Sequence, residues 1–389
     1  MAARPLDVFM IAGEQSGDML GAELIRALAR LNPGTTFQGV GGFAMSKAGL
    51  PSLFPMADIA VMGFLPVIAH LPTLLRRIDE TAKAVIAARP DVLVIIDSPD
   101  FTHRVARRVR KALPHLPIVD YVSPTVWAWR PGRAPAMRAY VDHVLALLPF
   151  EPQAHERLGG PACTYVGHPL IERLDDLLPT ADDVRRRAAP PAVLVVLPGS
   201  RRSEIGNLLK LFGETVDLLA RDKPDLQIVL PTVAHVEAMV RAGVANWPIA
   251  PRVVMDEAEK FAAFRSARAA LAASGTVTLE LALAQVPTVV AYKVSKIEEV
   301  IARQLVTTDH IALPNIILGE RLMPELIQSA ATATALAMDV ADIMQDGPSR
   351  QRQLDGLERL AAAMQLPGHQ RPSEAAAQTI LDVVSKPSV

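Results

Sequence analysis

Short apolar runs bounded by Gly, Pro or Asp alternate with amphipathic stretches along most of this chain, and the alternation runs through twice. Leu6–Ala12, Val92–Ile96, Ile118–Val122 and Val144–Leu148 read as buried strands, with helical patterns such as Met19–Leu31 and Leu74–Ala88 between them. Strands that are apolar at every position need cover on both faces, which a parallel sheet between two helix layers supplies. A second set follows: strands Val193–Leu197, Gln227–Leu230, Val253–Met255, Ala269–Ala273 and Thr288–Tyr292, with helices Glu204–Ala220, Lys260–Arg265 and Thr276–Ala284. The stretch Asp175–Pro191 separates the sets. The pattern predicts two Rossmann-like, doubly wound α/β domains, 1–175 and 176–345, hinged near 170–190. A helical tail, 346–389, could pack back on the first domain. Ligands of such folds bind at the carboxyl ends of the strands, here in a cleft expected between the two sheets.

Length and composition agree. A chain of 389 residues exceeds one ordinary core. Aromatics make up only 4% while branched aliphatics abound, as buried parallel strands require. The formal net charge of −1 gives no whole-molecule attraction to nucleic acid, so no nucleic-acid partner is expected. One cysteine, Cys163, excludes an intrachain disulfide and a CxxC metal site. An acidic residue stands where a signal peptide would need its apolar region, and no run approaches a membrane span, so a cytoplasmic protein is expected.

The strongest local signal is Ala272-Ala273-Ser274-Gly275-Thr276-Val277-Thr278-Leu279-Glu280. A buried strand runs through small residues directly into a helix, whose first N–H groups form an anion site. Ser274 and Thr276 add hydroxyls, and Glu280 is placed to accept from a ribose diol; the competing reading is a helix cap and a solvated carboxylate. Leu197-Pro198-Gly199-Ser200-Arg201 makes a second such turn, with Arg201 able to offset diphosphate charge. There is no Walker lysine motif and no DxD triplet, so positive side chains and helix dipoles are expected in place of a metal. No metal and no cofactor are expected.

In the first domain, Gly13-Glu14-Gln15-Ser16-Gly17-Asp18 is a strand–turn–helix junction without the GxGxxG spacing. Glu14, Ser16 and Asp18 suit sugar hydroxyls or the acceptor better than phosphate. Gly39-Val40-Gly41-Gly42 and Val61-Met62-Gly63 are small-residue turns expected to line the same cleft. Asp97-Ser98-Pro99-Asp100-Phe101 ends an apolar strand with two carboxylates; Asp97 is the favoured general base, and Asp100 reads better as a helix cap. Trp127 and Trp129, one residue apart after a strand, could stack on a sugar, touch acyl chains or plug a loop onto the core. From Phe101 to Arg138 eight Lys/Arg stand against one acidic residue, Asp120, a balance suited to an anionic acceptor or lipid headgroups. The segment 64–77 carries Leu65, Val67, Ile68, Leu71, Leu74 and Leu75, punctuated by prolines and closed by arginines. It is too short to span a bilayer and could sit at its surface, receive acyl chains or form a core helix.

These motifs, together with Leu148-Pro149-Phe150-Glu151, Val166-Gly167-His168-Pro169 and Leu313-Pro314-Asn315, occur in one order from about residue 6 to about residue 325. The ordered set resembles the lipid-A-disaccharide synthase family (glycosyltransferase family 19). The resemblance implies a GT-B fold whose C-terminal domain binds UDP. It implies inverting, metal-independent transfer of 2,3-diacylglucosamine from its UDP derivative to 2,3-diacylglucosamine 1-phosphate (lipid X), giving the lipid A disaccharide 1-phosphate. Carried over by motif, Asp97 is the base, Ser200 and Arg201 lie at the donor phosphates, and Ser274, Gly275, Thr276, Glu280 and Asn315 form the nucleotide site. Leu65–Leu75 matches the patch by which the family touches the cytoplasmic face of the inner membrane. Some members are dimers through the C-terminal part, which leaves a homodimer open here. The rival reading is another GT-B user of UDP-sugars, such as a UDP-GlcNAc 2-epimerase.

Overall fold

The computed structural model describes residues 4–60, 64–295 and 308–385, and the side chains of residues 64–69 lie outside that description. The turn expected at Val61-Met62-Gly63 and the side chains of Leu65, Val67 and Ile68 therefore fall outside the described residues. The chain divides into two units, Met1–Ile171 with Gln365–Val389, and Glu172–Met364.

The first unit is built on a parallel sheet of β1 (Asp7–Ala12), β2 (Thr36–Val40), β3 (Val92–Ile96), β4 (Ile118–Tyr121), β5 (His143–Ala146) and β6 (Ala162–Tyr165). Their order is β2-β1-β3-β4-β5-β6. The helices between them are α1 (Gln15–Leu31), α2 (Phe43–Lys47), α3 (Phe64–Ala88), α4 (Pro99–Ala112), α5 (Arg133–Met137) and α6 (Glu151–Leu158). Side-chain alternation sends Phe9, Ile11, Leu93 and Ile95 to the face covered by α3 and α4. Val8, Met10, Val92 and Val94 go to the opposite face, under α1.

The second unit opens with α7 (Leu174–Leu177) and α8 (Ala181–Ala188) and contains β7 (Val193–Leu197), α9 (Arg202–Asp222), β8 (Gln227–Pro231), α10 (Glu237–Val244), β9 (Arg252–Val254), α11 (Glu257–Ser266), β10 (Ala269–Ala273), α12 (Thr276–Leu283) and β11 (Thr288–Tyr292). Then come α13 (Leu313–Leu318), β12 (Glu325–Ile327), α14 (Ala333–Met344) and α15 (Pro348–Met364). Its parallel sheet has the order β12-β11-β10-β7-β8-β9. The segment 346–389 is split: α15 stays in the second unit, and only α16 (Pro372–Ser385) joins the first, laying Ala376, Ala377 and Ile380 over its sheet.

Both sheets change winding direction at one place. In the first unit β1 leads outward to β2, while β3 pairs on β1's other side; in the second, β7 leads to β8 and β9, while β10 pairs on β7's other side. The two loops leaving such neighbours part to opposite faces and open a crevice at the carboxyl edge. Register puts Ala12 beside Ile96 and Leu197 beside Ala272. The crevices are thus bordered by Gly13–Ser16 and Asp97–Asp100 in one unit, and by Pro198–Arg201 and Ser274–Thr276 in the other.

Residues 64–77 form the start of one long helix, α3, which continues through Pro72. Leu71 and Leu75 are exposed, whereas Leu74 packs against the core. Arg77, one of the arginines that close the segment, is turned inward: it bonds Asp58 through Nε at 2.9 Å and lies 4.4 Å from the Phe54 ring centre. No helix among the described residues is long and apolar enough to cross a membrane.

Candidate active site

At the crevice of the first unit, Asp97 and Ser98 both adopt left-handed backbone, with φ of 52° and 46°. Non-glycine residues rarely hold that conformation, and two in succession need support from their surroundings. Here the Asp97 amide donates to the Tyr121 carbonyl at 3.1 Å, and the Thr102 hydroxyl donates to the Asp97 carbonyl at 2.7 Å. The Asp97 carboxylate accepts from its neighbour's amide, Ser98 N, at 2.7 Å, and from the Ser16 hydroxyl. Burial nevertheless dominates and lifts the Asp97 pKa above the ordinary carboxylate value; Asp120 adds to the rise, while the two hydrogen bonds oppose it. Gly13 makes this contact between loops possible. A Cβ there would stand 2.6 Å from Ser98 Cβ and Oγ.

The other residues expected on this loop divide. Ser16 is exposed and touches Asp97, and Glu14 is the N-cap residue of α1. Asp18, expected at the substrate, is instead buried and accepts from Gly42, Ala44 and Met45 amides at 2.7–3.0 Å. With three backbone amides on its carboxylate, Asp18 caps α2 and holds the turn before it.

The loop after β4 carries the tryptophans. Trp127 is anchored: its Nε1 donates to Glu151 Oε1 at 3.0 Å, and its ring meets Phe150 edge-on at 5.0 Å. Glu151 is buried and also accepts from Leu148 N at 2.9 Å. Burial pushes its carboxyl up to about 7 despite these bonds, with Asp120 adding to the rise. Ser123 in the same loop lies 2.8 Å from His155 Nε2, and burial lowers the pKa of that imidazole. Trp129 is half-exposed, with the guanidinium carbons of Arg130 and Arg133 at 4.3 and 5.8 Å from its ring centre. Glu151 and His155 had no role in the sequence reading, although Glu151 stands in one of its motifs.

In the second unit, the Pro198–Arg201 turn is closed by a residue that reading did not weigh. Glu204 Oε2 accepts from Ser200 N and Arg201 N at 2.9 and 3.1 Å, and its Oε1 accepts from Arg201 Nη1 at 2.8 Å. Gly199 is required there twice over: its φ is +109°, and a Cβ would fall 2.4 Å from Glu204 Oε2. The Arg201 side chain remains mostly exposed. Across the crevice, Gly275 is the N-cap residue of α12, Thr276 opens the helix and is exposed, and the Ser274 hydroxyl donates to the Ile311 carbonyl at 2.8 Å. Glu280 pairs with Lys260 at 2.9 Å. Asn315, expected at the nucleotide, is fully buried with both ends of its amide used: Nδ2 donates to the Met323 carbonyl at 2.9 Å and Oδ1 accepts from Met323 N at 2.8 Å. It clips the α13–β12 loop together. Among the described residues, no three His, Cys, Asp or Glu side chains converge as a metal cluster.

Two Rossmann-like parallel sheets, each with a loop crevice where its winding reverses, define the chain as a GT-B protein. Solved structures share this fold: UDP-GlcNAc 2-epimerase from Neisseria meningitidis bound to UDP-GlcNAc, with a TM-score of 0.64 at 12% identity, covers 97% of this chain and 100% of its own. The glycosyltransferase of kitacinnamycin, with a TM-score of 0.60 at 18% identity, covers 98% and 100%. The family profile described as lipid-A-disaccharide synthetase matches residues 8–380. Lipid-A-disaccharide synthase from Nitrobacter hamburgensis is 55% identical over 378 residues, covering 97% of this chain and 95% of that one; the one from Rhodopseudomonas palustris strain HaA2 is 54% identical over 380 residues, covering 97% and 96%. The chain belongs to the lipid-A-disaccharide synthase family and is a glycosyltransferase.

Proposed function

We propose that this enzyme transfers 2,3-diacylglucosamine from its UDP derivative to the 6-hydroxyl of 2,3-diacylglucosamine 1-phosphate, forming a β-1,6-linked disaccharide 1-phosphate and releasing UDP. The observation that carries the mechanism is Asp97, a carboxylate of raised pKa held in strained backbone at the β1/β3 crevice. Asp97 takes the proton from the acceptor hydroxyl as its oxygen attacks the anomeric carbon, and inversion follows from attack opposite the leaving UDP. Ser16, bonded to Asp97, orients the carboxylate. Burial that raises a base's pKa also strengthens its pull on a hydroxyl proton.

In the second unit, the α12 N-terminus with Ser274, Gly275 and Thr276 receives the diphosphate, and exposed Arg201 offsets charge developing on the leaving phosphate. Glu204, now on the Ser200 and Arg201 amides, would yield those donors to the nucleotide. Glu280 accepts the ribose hydroxyls, with Lys260 holding it in place. On the same reading the enzyme works at the cytoplasmic face of the inner membrane, where exposed Leu71 and Leu75 meet acyl chains.

The test is transfer from radiolabelled UDP-diacylglucosamine to lipid X, with and without a chelator. Disaccharide 1-phosphate formed equally in both is expected. Turnover of UDP-GlcNAc with no lipid present would favour epimerase chemistry instead.

A further inference from the structure

Arg130 lies in the loop between β4 and α5. Among the described residues its guanidinium has no ion pair or hydrogen bond; its contact is the face of Trp129, 4.3 Å away. Arg133 shares that ring at 5.8 Å, and its ion pair is a 3.5 Å approach to Asp100, whose side chain is 91% exposed. Two guanidinium groups are therefore held at one indole, and the solvent-screened carboxylate of Asp100 pairs with Arg133 alone. Such an arrangement repels itself unless an anion joins it.

The backbone keeps the pair in place. Arg130 adopts left-handed φ, 51°, and its carbonyl accepts from Arg133 N at 2.9 Å, so the turn 130–133 is closed on itself. The ring that carries both arginines lies two residues from Trp127, which Glu151 anchors. The loop leaves β4, whose neighbour in the sheet is β3, the strand ending at Asp97. The Arg133–Asp100 contact ties it to the first turn of α4, three residues beyond that carboxylate.

We infer that Arg130 and Arg133, braced on Trp129, form a binding site for a phosphate monoester, and that its ligand is the 1-phosphate of the acceptor. The forked donors of two guanidinium groups match the three terminal oxygens of a monoester dianion. Trp129 contributes by holding both forks in one orientation, which lowers the ordering cost of binding. The assignment rests on the proposed transfer to a sugar 1-phosphate, and it makes that phosphate a specificity handle beside the reacting hydroxyl.

The experiment compares the wild type with Arg130→Ala/Arg133→Ala and with Arg130→Lys/Arg133→Lys. Each receives short-chain 2,3-diacylglucosamine 1-phosphate or its counterpart lacking the phosphate, at saturating donor. The wild type should favour the phosphorylated acceptor in kcat/KM by roughly 100-fold, the worth of a pair of charge-assisted hydrogen bonds. The alanine variant should lose most of that preference, keep its rate on the unphosphorylated acceptor and keep its UDP affinity; the lysine variant should fall between. An alanine variant that retains the preference overturns the assignment. So does one whose main loss is UDP affinity, which would place the donor diphosphate there, or vesicle binding, which would place lipid headgroups there. Should the wild type transfer to neither acceptor, the proposed function fails, and calorimetric binding of the same two compounds still decides the site. Phosphate-dependent binding lost in the alanine variant upholds it; phosphate-independent binding by the wild type sinks it.

Discussion

Trp127 Nε1 donates to Glu151 Oε1 at 3.0 Å, joining the loop after β4 to the first turn of α6 through a buried carboxyl group. Glu151 also accepts from Leu148 N, so one side chain fixes both ends of this junction.

The stability of that junction should depend on pH. Burial raises the Glu151 pKa from 4.5 to about 7, so the folded chain favours the protonated form. The linked stability is whole below the unfolded value and is lost as pH rises through about 7, a span worth about 3 kcal/mol. Glu151→Gln keeps a neutral group at every pH. Its melting temperature should therefore gain on the wild type between pH 5 and pH 8, and a constant difference would show that Glu151 is not held in this way.

Asp97→Asn should lower transfer by roughly 10²–10⁴-fold, the usual worth of a general base, with UDP binding retained. The raised Asp97 pKa has its own signature. As pH falls through it the base is protonated, so the wild-type acid limb in kcat/KM should lie above the ordinary 3.8 of an aspartate and vanish in the variant. A near-normal rate for Asp97→Asn removes it from the mechanism.

Gly13→Ala tests the contact between the β1 and β3 loops. The new methyl would meet Ser98 Cβ and Oγ at 2.6 Å and push the adjoining Asp97 off position. Misplacement on that scale costs up to about 100-fold in rate. Single-turnover kinetics should show the loss in the chemical step, and unchanged turnover would mean that Ser98 yields without moving Asp97.

Membrane attachment is best probed with Leu71→Ser/Leu75→Ser, because both leucines are exposed whereas Leu74 packs inward. Co-sedimentation with anionic vesicles should drop while the melting temperature holds. Undiminished co-sedimentation would assign attachment to another surface.

How legible all this was in the sequence varied with burial. β3, β7 and β10 are apolar from end to end and coincide with the strands read from sequence. β2, β6 and β12 lie at sheet edges, and Gln38, Thr164 and Glu325 break their apolar runs, so no periodicity marked them. Among the candidate residues, the position of Asp97 at the crevice was legible because it follows a buried strand. Asp18 was read as a ligand contact because it closes a small-residue strand–turn–helix junction, and Asn315 because the family motif carries it there; their partners, the α2 amides and the Met323 backbone, are supplied only by the fold. The Glu204 cap did leave a signal, an acidic residue three positions after the N-cap residue Arg201.

The division of the chain also governs how it can be made. α16 closes the layer over Val8, Met10 and Val94, yet it is synthesised after the whole of Glu172–Met364. On the ribosome the second unit can therefore mature while the first still lacks part of its roof. A fragment ending at Ile171 would expose that apolar layer, and adding α16 as a separate peptide is the natural way to seal it. Asp97 thus belongs to a unit that is completed only after the whole second unit has been made.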